Sequence, residues 1–495
     1  MSTPSEPIGE RMPTGITGLD DILGGGLPRS RSYLVQGRPG TGKTTLALQF
    51  LLEGVRNGER CLYITLSETE EEVRQVADSH GWSLDGIHVF DLTASPDDAG
   101  TQYTFFHPGE VELDEIVKRV LSEAERVKPV RVVIDSLTEL RLLARDALRY
   151  RRQILAFKKI FSAYNAILIL LAEQHPTETD SQIESLVHGI ILLTSSLPDY
   201  GVPRRKLCVV KLRASKHGEG YHDLTIQTGG IVVYPRLIAA QHHAKFLPYR
   251  FTSGVAALDE LTGGGLDAGT VTMIMGPAGA GKSTLAAQYA LTAANGGKSI
   301  VLYNFDENRT TLLARTSALG IDLDSQINAG KVAIQHVEPA GTSPGEFTSI
   351  IRRAVEEDGV GLVVIDSING YHEAMPEEHF LPAHLHELFT YLNQRGVATI
   401  LVMEQHGLVG GLASPINVSY LADMMILLRY FEAGGEIRRA ISAIKKRSGS
   451  HERVIREFHI GAQGIQVGQP LNEFRGVLTG QPEYFGGPGT LLDSK

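Results

Sequence analysis

The stretch Gly37-Arg38-Pro39-Gly40-Thr41-Gly42-Lys43-Thr44 returns 239 residues later as Gly276-Pro277-Ala278-Gly279-Ala280-Gly281-Lys282-Ser283. Both fit the pattern G-x-x-x-x-G-K-[ST]. Each follows a short apolar run, Tyr33-Leu34-Val35-Gln36 or Val271-Thr272-Met273-Ile274-Met275, and each opens a helix-forming segment. Strand, glycine-rich loop and helix in that order form the setting in which such a loop cradles phosphate. The glycines let backbone N–H groups converge on an anion, and the helix N-terminus adds its positive end. The expected nucleotide contacts are Gly40, Thr41, Gly42, Lys43, Thr44 and Thr45 in the first copy. In the second they are Gly279, Ala280, Gly281, Lys282, Ser283 and Thr284. The Thr44 and Ser283 hydroxyls are candidate Mg²⁺ ligands.

Two matches of this quality imply an internal duplication, and other pairs support it. Gly15-Ile16-Thr17-Gly18-Leu19-Asp20 and Gly24-Gly25-Gly26-Leu27 recur, again 239 residues on, as Gly254-Val255-Ala256-Ala257-Leu258-Asp259 and Gly263-Gly264-Gly265-Leu266. For this turn-rich opening a structural role is expected. Val132-Val133-Ile134-Asp135-Ser136 recurs as Val363-Val364-Ile365-Asp366-Ser367 at an offset of 231. An apolar strand ending in Asp is the usual partner of a phosphate loop, so Asp135 and Asp366 complete the candidate metal sites.

Strand Cys61-Leu62-Tyr63-Ile64-Thr65-Leu66 ends at Ser67-Glu68, and Ser299-Ile300-Val301-Leu302-Tyr303-Asn304-Phe305 ends at Asp306-Glu307. Carboxylates there can orient or deprotonate an attacking hydroxyl, making Glu68, Asp306 and Glu307 the catalytic candidates. The competing reading is that Ser67 or Asp306 caps the helix that follows. A further repeated strand ends at Glu173-Gln174-His175 and Glu404-Gln405-His406, where polar groups could sense a γ-phosphate or form a satisfied network.

Late in each copy Arg205, Lys211 and Arg213 return as Arg439, Lys445 and Arg447, each 234 residues on. Lys and Arg two apart share one strand face. Such a strand can bring charge to a phosphate, often one bound by a neighbouring subunit, or it can defend an exposed edge.

Helical patterns at 45–56, 70–80, 148–161, 283–295 and 382–393 alternate with the strands. They predict an α/β fold with mostly parallel sheets and ligands at the strands' carboxyl ends. The expected domains are 11–246 and 247–484, with 485–495 a flexible tail. A length of 495 residues and a hydrophobic fraction of 42% suit such an arrangement. No run of about 18 apolar residues predicts a membrane span. The polar start Met1-Ser2-Thr3-Pro4-Ser5-Glu6 has no signal core, and Cys61 and Cys208, the two cysteines, read as buried thiols, so a cytoplasmic location is expected. A net charge of −10 weighs against nucleic acid as the main partner.

Taken together, the glycine-rich openings, phosphate loops, Ile-Asp-Ser strands and Lys-x-Arg strands resemble the KaiC family of circadian-clock ATPases and autokinases. Ile441-Ser442-Ala443-Ile444-Lys445-Lys446-Arg447 and Ile455-Arg456-Glu457-Phe458 carry the likeness to the end of the chain. The resemblance implies two tandem RecA-like P-loop domains and a homohexameric double ring with ATP and Mg²⁺ between subunits. It implies ATP hydrolysis in the first ring and autophosphorylation in the second. Lys211, Arg213, Arg439, Lys445 and Arg447 would then approach nucleotide from the adjoining subunit, Leu212 and Lys446 would be among the nucleotide contacts, and signalling or clock-type proteins would be partners.

Three departures stand out. The family's first-copy glutamate pair is Ser67-Glu68, and its second-copy pair is Asp306-Glu307. Its Ser-Thr phosphoacceptor pair falls on Ser419-Tyr420. The chain ends soon after Gly480-Gln481-Pro482, where the family carries a longer, partner-binding tail. The alternatives are a DNA-handling ATPase of the recombinase or helicase kind, and a nucleotide-gated scaffold with weak catalysis.

Overall fold

Along each central strand, successive side chains enter different cores. In Ser32–Gly37, Tyr33 and Val35 join one buried cluster and Leu34 joins another. In Arg131–Asp135, Val133 goes to the first cluster and Val132 and Ile134 to the second. A strand covered on both faces needs a continuous apolar run, which is why these segments do not alternate with polar residues. The computed structural model describes residues 10–93, 108–144, 146–174, 183–199, 201–338, 340–373, 380–405, 419–478 and 482–485.

The chain divides into two compact units, the first ending at Arg236 and the second beginning at Leu237. Each holds a nine-stranded sheet. In the first unit the parallel strands run Ile87–Asp91, Cys61–Thr65, Arg131–Asp135, Ile167–Glu173, Ser32–Gly37 and Gly189–Ser196 across the sheet. Arg204–Leu212, Tyr221–Gln227 and Gly230–Tyr234 continue it as an antiparallel flank. The second unit repeats the order with Val332–His336, Ser299–Asn304, Val360–Asp366, Ala398–Glu404, Val271–Gly276 and Met424–Ala433. Its flank is Glu436–Lys446, Ile455–Gly461 and Gly464–Pro470. The fold is thus two tandem α/β units with mostly parallel sheets.

Helices Lys43–Arg56, Glu70–Ser79, Ala147–Ala163, Lys282–Asn295 and Leu381–Gln394 lie within two residues of the expected spans at each end. The glycine-rich openings are held by local hydrogen bonds. Asp20 accepts from the Thr14 N–H and hydroxyl, each at 2.8 Å, and Asp259 accepts from the Ser253 N–H at 2.7 Å.

The boundary between the units differs from the expected 246/247. Residues 237–246 pack on the second unit: Leu237 and Ala239 join its core, and the Ala239 N–H donates to Glu387 at 3.0 Å. The Phe246 ring lies against Gly269 and Gly396 and leaves no room for a side chain at either. Phe485, expected to open a loose tail, donates its N–H to the Glu473 carbonyl at 3.1 Å and lies under the Arg475 guanidinium. Residues 486–495 lie outside the described residues.

Candidate active sites

In the first unit the strand Ser32–Gly37 delivers the chain into the phosphate loop, and Gly42 caps helix Lys43–Arg56 with φ 99°. A left-handed backbone at that point turns the first helical N–H groups toward the loop, and only glycine adopts it without strain. The Lys43 ammonium donates to the Gly37 and Arg38 carbonyls at 3.0 and 3.1 Å. Burial pushes its pKa down, countered by Glu173 and Asp135. The Thr44 hydroxyl donates to Asp135 Oδ2 at 3.0 Å, and the Tyr63 hydroxyl donates to the same oxygen at 2.6 Å. Desolvation raises the Asp135 pKa, while these two hydroxyls and Lys43 hold it down. A hydroxyl and a buried carboxylate side by side beneath a phosphate loop are the donor set expected of an Mg²⁺ site carrying phosphate and water.

Glu68 lies within electrostatic reach of Asp135. Burial, then the charge on Asp135, raises its pKa. Its Oε2 is buried and accepts no hydrogen bond among the described residues. Ser67 does not cap the next helix; Thr69 does, in a reciprocal capping box with Glu72. Asn308 plays that part in the second unit. The capping alternative therefore fails for both pairs.

The second unit repeats the frame with different details. Gly281 caps helix Lys282–Asn295 at φ 102°, and buried Lys282 donates to the Pro277 carbonyl at 2.9 Å. Ser283 bonds Asp366, whose pKa is pushed up to about 6, first by burial and further by Asp306. Asp306 Oδ2 accepts from the Ser367 hydroxyl at 2.6 Å. Glu307 departs from its counterpart. Arg315 donates to both its oxygens, at 3.1 and 2.7 Å, and reaches the Thr284 hydroxyl at 2.8 Å. The sequence carries no signal for this clamp, because Val76 holds the matching place in the first copy. Tyr63 was equally hidden, since an aromatic in an apolar strand reads as core.

The basic strands separate the cations that the sequence groups together. Arg205 Nε donates to the Gly40 carbonyl of its own phosphate loop at 3.3 Å. Arg439 stacks on Tyr430, whose hydroxyl donates to the Ala278 carbonyl of its own loop at 3.1 Å. Lys211 and Arg213 lie at the far end of the strand, donating to the Glu184 and Ser185 carbonyls. Lys445 and Arg447 donate to the Ala422 and Tyr420 carbonyls. Six residues separate Arg205 from Lys211, a distance of about 20 Å at roughly 3.3 Å per residue. The same spacing separates Arg439 from Lys445. Leu212 and Lys446 face away from these pairs, as alternation requires. Leu212 is buried, and the Lys446 ammonium holds the Thr262 carbonyl at 2.7 Å and pairs with Asp267 at 3.5 Å. Arg439 is thus linked to its own loop through Tyr430, and the Lys446 ammonium bonds groups of its own unit.

The KaiC ATPase family model matches residues 12–238 and, a second time, residues 251–472. The chain belongs to the KaiC family. It is 27% identical over 488 residues to "Circadian clock protein KaiC3" of Synechocystis sp., covering 96% of this chain and 95% of that one. It is 29% identical to "Circadian clock oscillator protein KaiC" of Prochlorococcus marinus subsp. pastoris, covering 96% and 94%. It is 28% identical to the protein of that name from Thermosynechococcus vestitus, covering 96% and 92%. The KaiC assignment bears out the tandem RecA-like reading and makes an ATPase and autokinase the family-level activity. Among the described residues no helix is long and apolar enough to cross a membrane.

For a KaiC chain, the Ser419-Tyr420 stretch is the most informative departure. Ser419 and Tyr420 form a turn ahead of strand Met424–Ala433, and Tyr420 is exposed. Lys445 approaches the Ser419 carbonyl at 3.4 Å, and Arg447 donates to the Tyr420 carbonyl at 3.0 Å. Met424 pairs with Thr272, near the start of the strand that enters the phosphate loop. Ser419 therefore shares an end of the sheet with Lys445 and Arg447. His175 and His406 lie outside the described residues.

Proposed function

We propose that this KaiC-family chain assembles as a homohexamer that binds Mg-ATP at subunit junctions, hydrolyses it in the first unit and phosphorylates Ser419 in the second. The observation that carries this reading is the placement of Ser419, Lys445 and Arg447 at the opposite end of the sheet from their own phosphate loop. The strand Val271–Gly276 separates the two ends, about 16 Å at roughly 3.3 Å per residue. An acceptor that far from its own nucleotide is suited to a neighbour's.

The residues fit the chemistry. Thr44 with Asp135, and Ser283 with Asp366, would hold Mg²⁺, which when bound neutralises charge on the β- and γ-phosphates. Lys43 and Lys282 cradle the same phosphates, together with the loop N–H groups. Glu68 positions and deprotonates the water in the first site, in place of a glutamate pair. In the second, the Ser419 oxygen bonds the γ-phosphorus as its bond to the β-phosphate oxygen breaks, and ADP leaves. Asp306 receives the hydroxyl proton. The neighbour's Lys211 and Arg213, or Lys445 and Arg447, add charge as the transfer proceeds. Exposed Tyr420 carries its hydroxyl farther from the backbone than a Thr would, and is a poor acceptor for the same pocket. A cytoplasmic setting and clock-type or signalling partners complete the reading.

The test is size-exclusion chromatography with light scattering, with and without Mg-ATP. A hexamer that loosens when nucleotide is removed supports the reading, because ligand bound across an interface stabilises assembly by mass action. A monomer at saturating ATP contradicts it.

A further inference from the structure

The duplicated frame allows position-by-position comparison of the two catalytic carboxylates. Helix Glu70–Ser79 and helix Arg309–Ala318 begin and end 239 residues apart, the offset of the phosphate loops. Glu68 therefore corresponds to Glu307, Thr45 to Thr284 and Val76 to Arg315. In the first unit the Glu68 Oε2 is buried and unengaged, and Val76 packs against the core. In the second unit both Glu307 oxygens accept from the Arg315 fork, and the third guanidinium nitrogen ties the pair to Thr284. Thr284 is buried in the first turn of the phosphate-loop helix, next to Ser283.

We infer that Arg315 is a positioning residue that withdraws Glu307 from water activation. This inference rests on the KaiC-type nucleotide reading of the second site and adds how that site limits hydrolysis. A general base must aim a free lone pair at the water it deprotonates, within hydrogen-bond reach. One in-plane lone pair on each Glu307 oxygen is instead engaged by a planar guanidinium, a two-point pairing that also fixes the carboxylate's orientation. The tie to Thr284 keeps that orientation in register with the phosphate loop. Asp306 remains as the carboxylate for a protein hydroxyl, so bound ATP is kept for transfer and less of it is lost to water. The first unit has no arginine at the matching position and keeps its glutamate available. One fold thus carries a hydrolytic site and a site in which hydrolysis is held back.

The experiment uses the full-length protein carrying Lys43→Ala, which silences the first site. Arg315→Met on this background should raise the ATP turnover number at least about 10-fold, part of the roughly 10²–10⁴-fold that a fully placed general base supplies, with KM changed less than about 3-fold. Arg315→Lys should fall between, since an ammonium cannot engage both oxygens as the planar fork does. Adding Glu307→Gln to Arg315→Met should remove the gain. Unchanged or reduced turnover in Arg315→Met, or a gain that survives Glu307→Gln, overturns the inference. A converse variant does not depend on the second unit tolerating substitution. Val76→Arg, with Lys282→Ala silencing the second site, should lower first-site turnover at least about 10-fold, through the same general-base term. Unaltered turnover there also overturns it. Phosphate on Ser419 is measured in the same samples. Its absence, with turnover changing as described, leaves Arg315 in its role and removes only the autokinase reading.

Discussion

Arg205 donates to the carbonyl of Gly40 in its own phosphate loop, while Lys211, six residues further along the same strand, lies at the opposite end of the sheet. The strand's first part braces the cis loop, and its last part is the part that the proposed assembly assigns to a neighbour's nucleotide. Subunits carrying Lys43→Ala and subunits carrying Lys211→Ala with Arg213→Ala should each lack first-site hydrolysis. Mixed, with the second site disabled throughout, they should recover part of it, because some junctions pair an intact loop with an intact strand. ATP turnover across a mixing series checks this, with a maximum expected between the pure species.

Glu68→Gln should lower first-site turnover by about 10²–10⁴-fold in a protein whose second site is disabled by Lys282→Ala. Nucleotide affinity should be retained, because Lys43, Thr44 and Asp135 are untouched. Ser67→Glu should raise turnover by supplying a second carboxylate beside Glu68. Steady-state kinetics separates the two effects, with kcat moving and KM nearly constant.

Much of this was legible in the sequence, for physical reasons. A phosphate loop needs its glycines, lysine and hydroxyl at fixed spacing, and a doubly covered strand needs an unbroken apolar run, so both sites could be read along the chain. Duplication then supplied an internal comparison that exposed Asp135 and Asp366. What could not be read was anything decided by which side chain meets which across the fold. Arg315 lies eight residues beyond Glu307 on the next helix, with no partner in the first copy to flag it. Arg439 and Lys445 looked alike as members of one basic strand, yet pairing with Tyr430 and Met425 sends them to opposite ends of the sheet.

Arg131 is fully buried. It pairs with Glu59 at 2.6 Å, donates to the Pro13 and Phe50 carbonyls at 2.8 Å each, and stacks on the Phe50 ring. Leu362 holds the matching place in the second unit. Arg131→Ala should destabilise the first unit by about 3–5 kcal/mol, because it leaves Glu59 with only the longer pairing to Arg29 at 3.5 Å and opens a cavity. Arg131→Leu combined with Glu59→Gln should cost markedly less, since it removes the charge with its partner. Urea titration followed by hydrogen exchange in the first unit measures both.

His188 links acid to the stability of the first unit. Its Nδ1 accepts the Ser32 N–H at 3.1 Å, so the ring is neutral with its proton on Nε2. Burial, then Lys158, Arg31, Arg213 and Lys211, depress its pKa from 6.5 to about 4. A base with a depressed folded pKa binds protons less readily folded than unfolded. Its contribution is therefore complete above pH 6.5 and is lost as the pH falls toward about 4. His188→Asn, which keeps an acceptor near Ser32 but cannot charge, should flatten that part of the stability–pH curve. Thermal melts from pH 7 down to pH 4 would show it as a smaller drop in Tm than in the parent.

The central claim is phosphoryl transfer to Ser419 from a nucleotide held by a neighbouring subunit. The most direct measurement is mass spectrometry of tryptic peptides after incubation with Mg-ATP, in mixtures of tagged subunits. One subunit type carries Lys282→Ala with Ser419 intact, and the other carries Ser419→Ala with an intact second site. Neither alone should acquire phosphate at position 419, and the mixture should acquire it on the Lys282→Ala subunit. If the mixture hydrolyses ATP in its first units yet carries no phosphate on Ser419, or if intact protein does so only within single subunits, transfer between neighbours is contradicted.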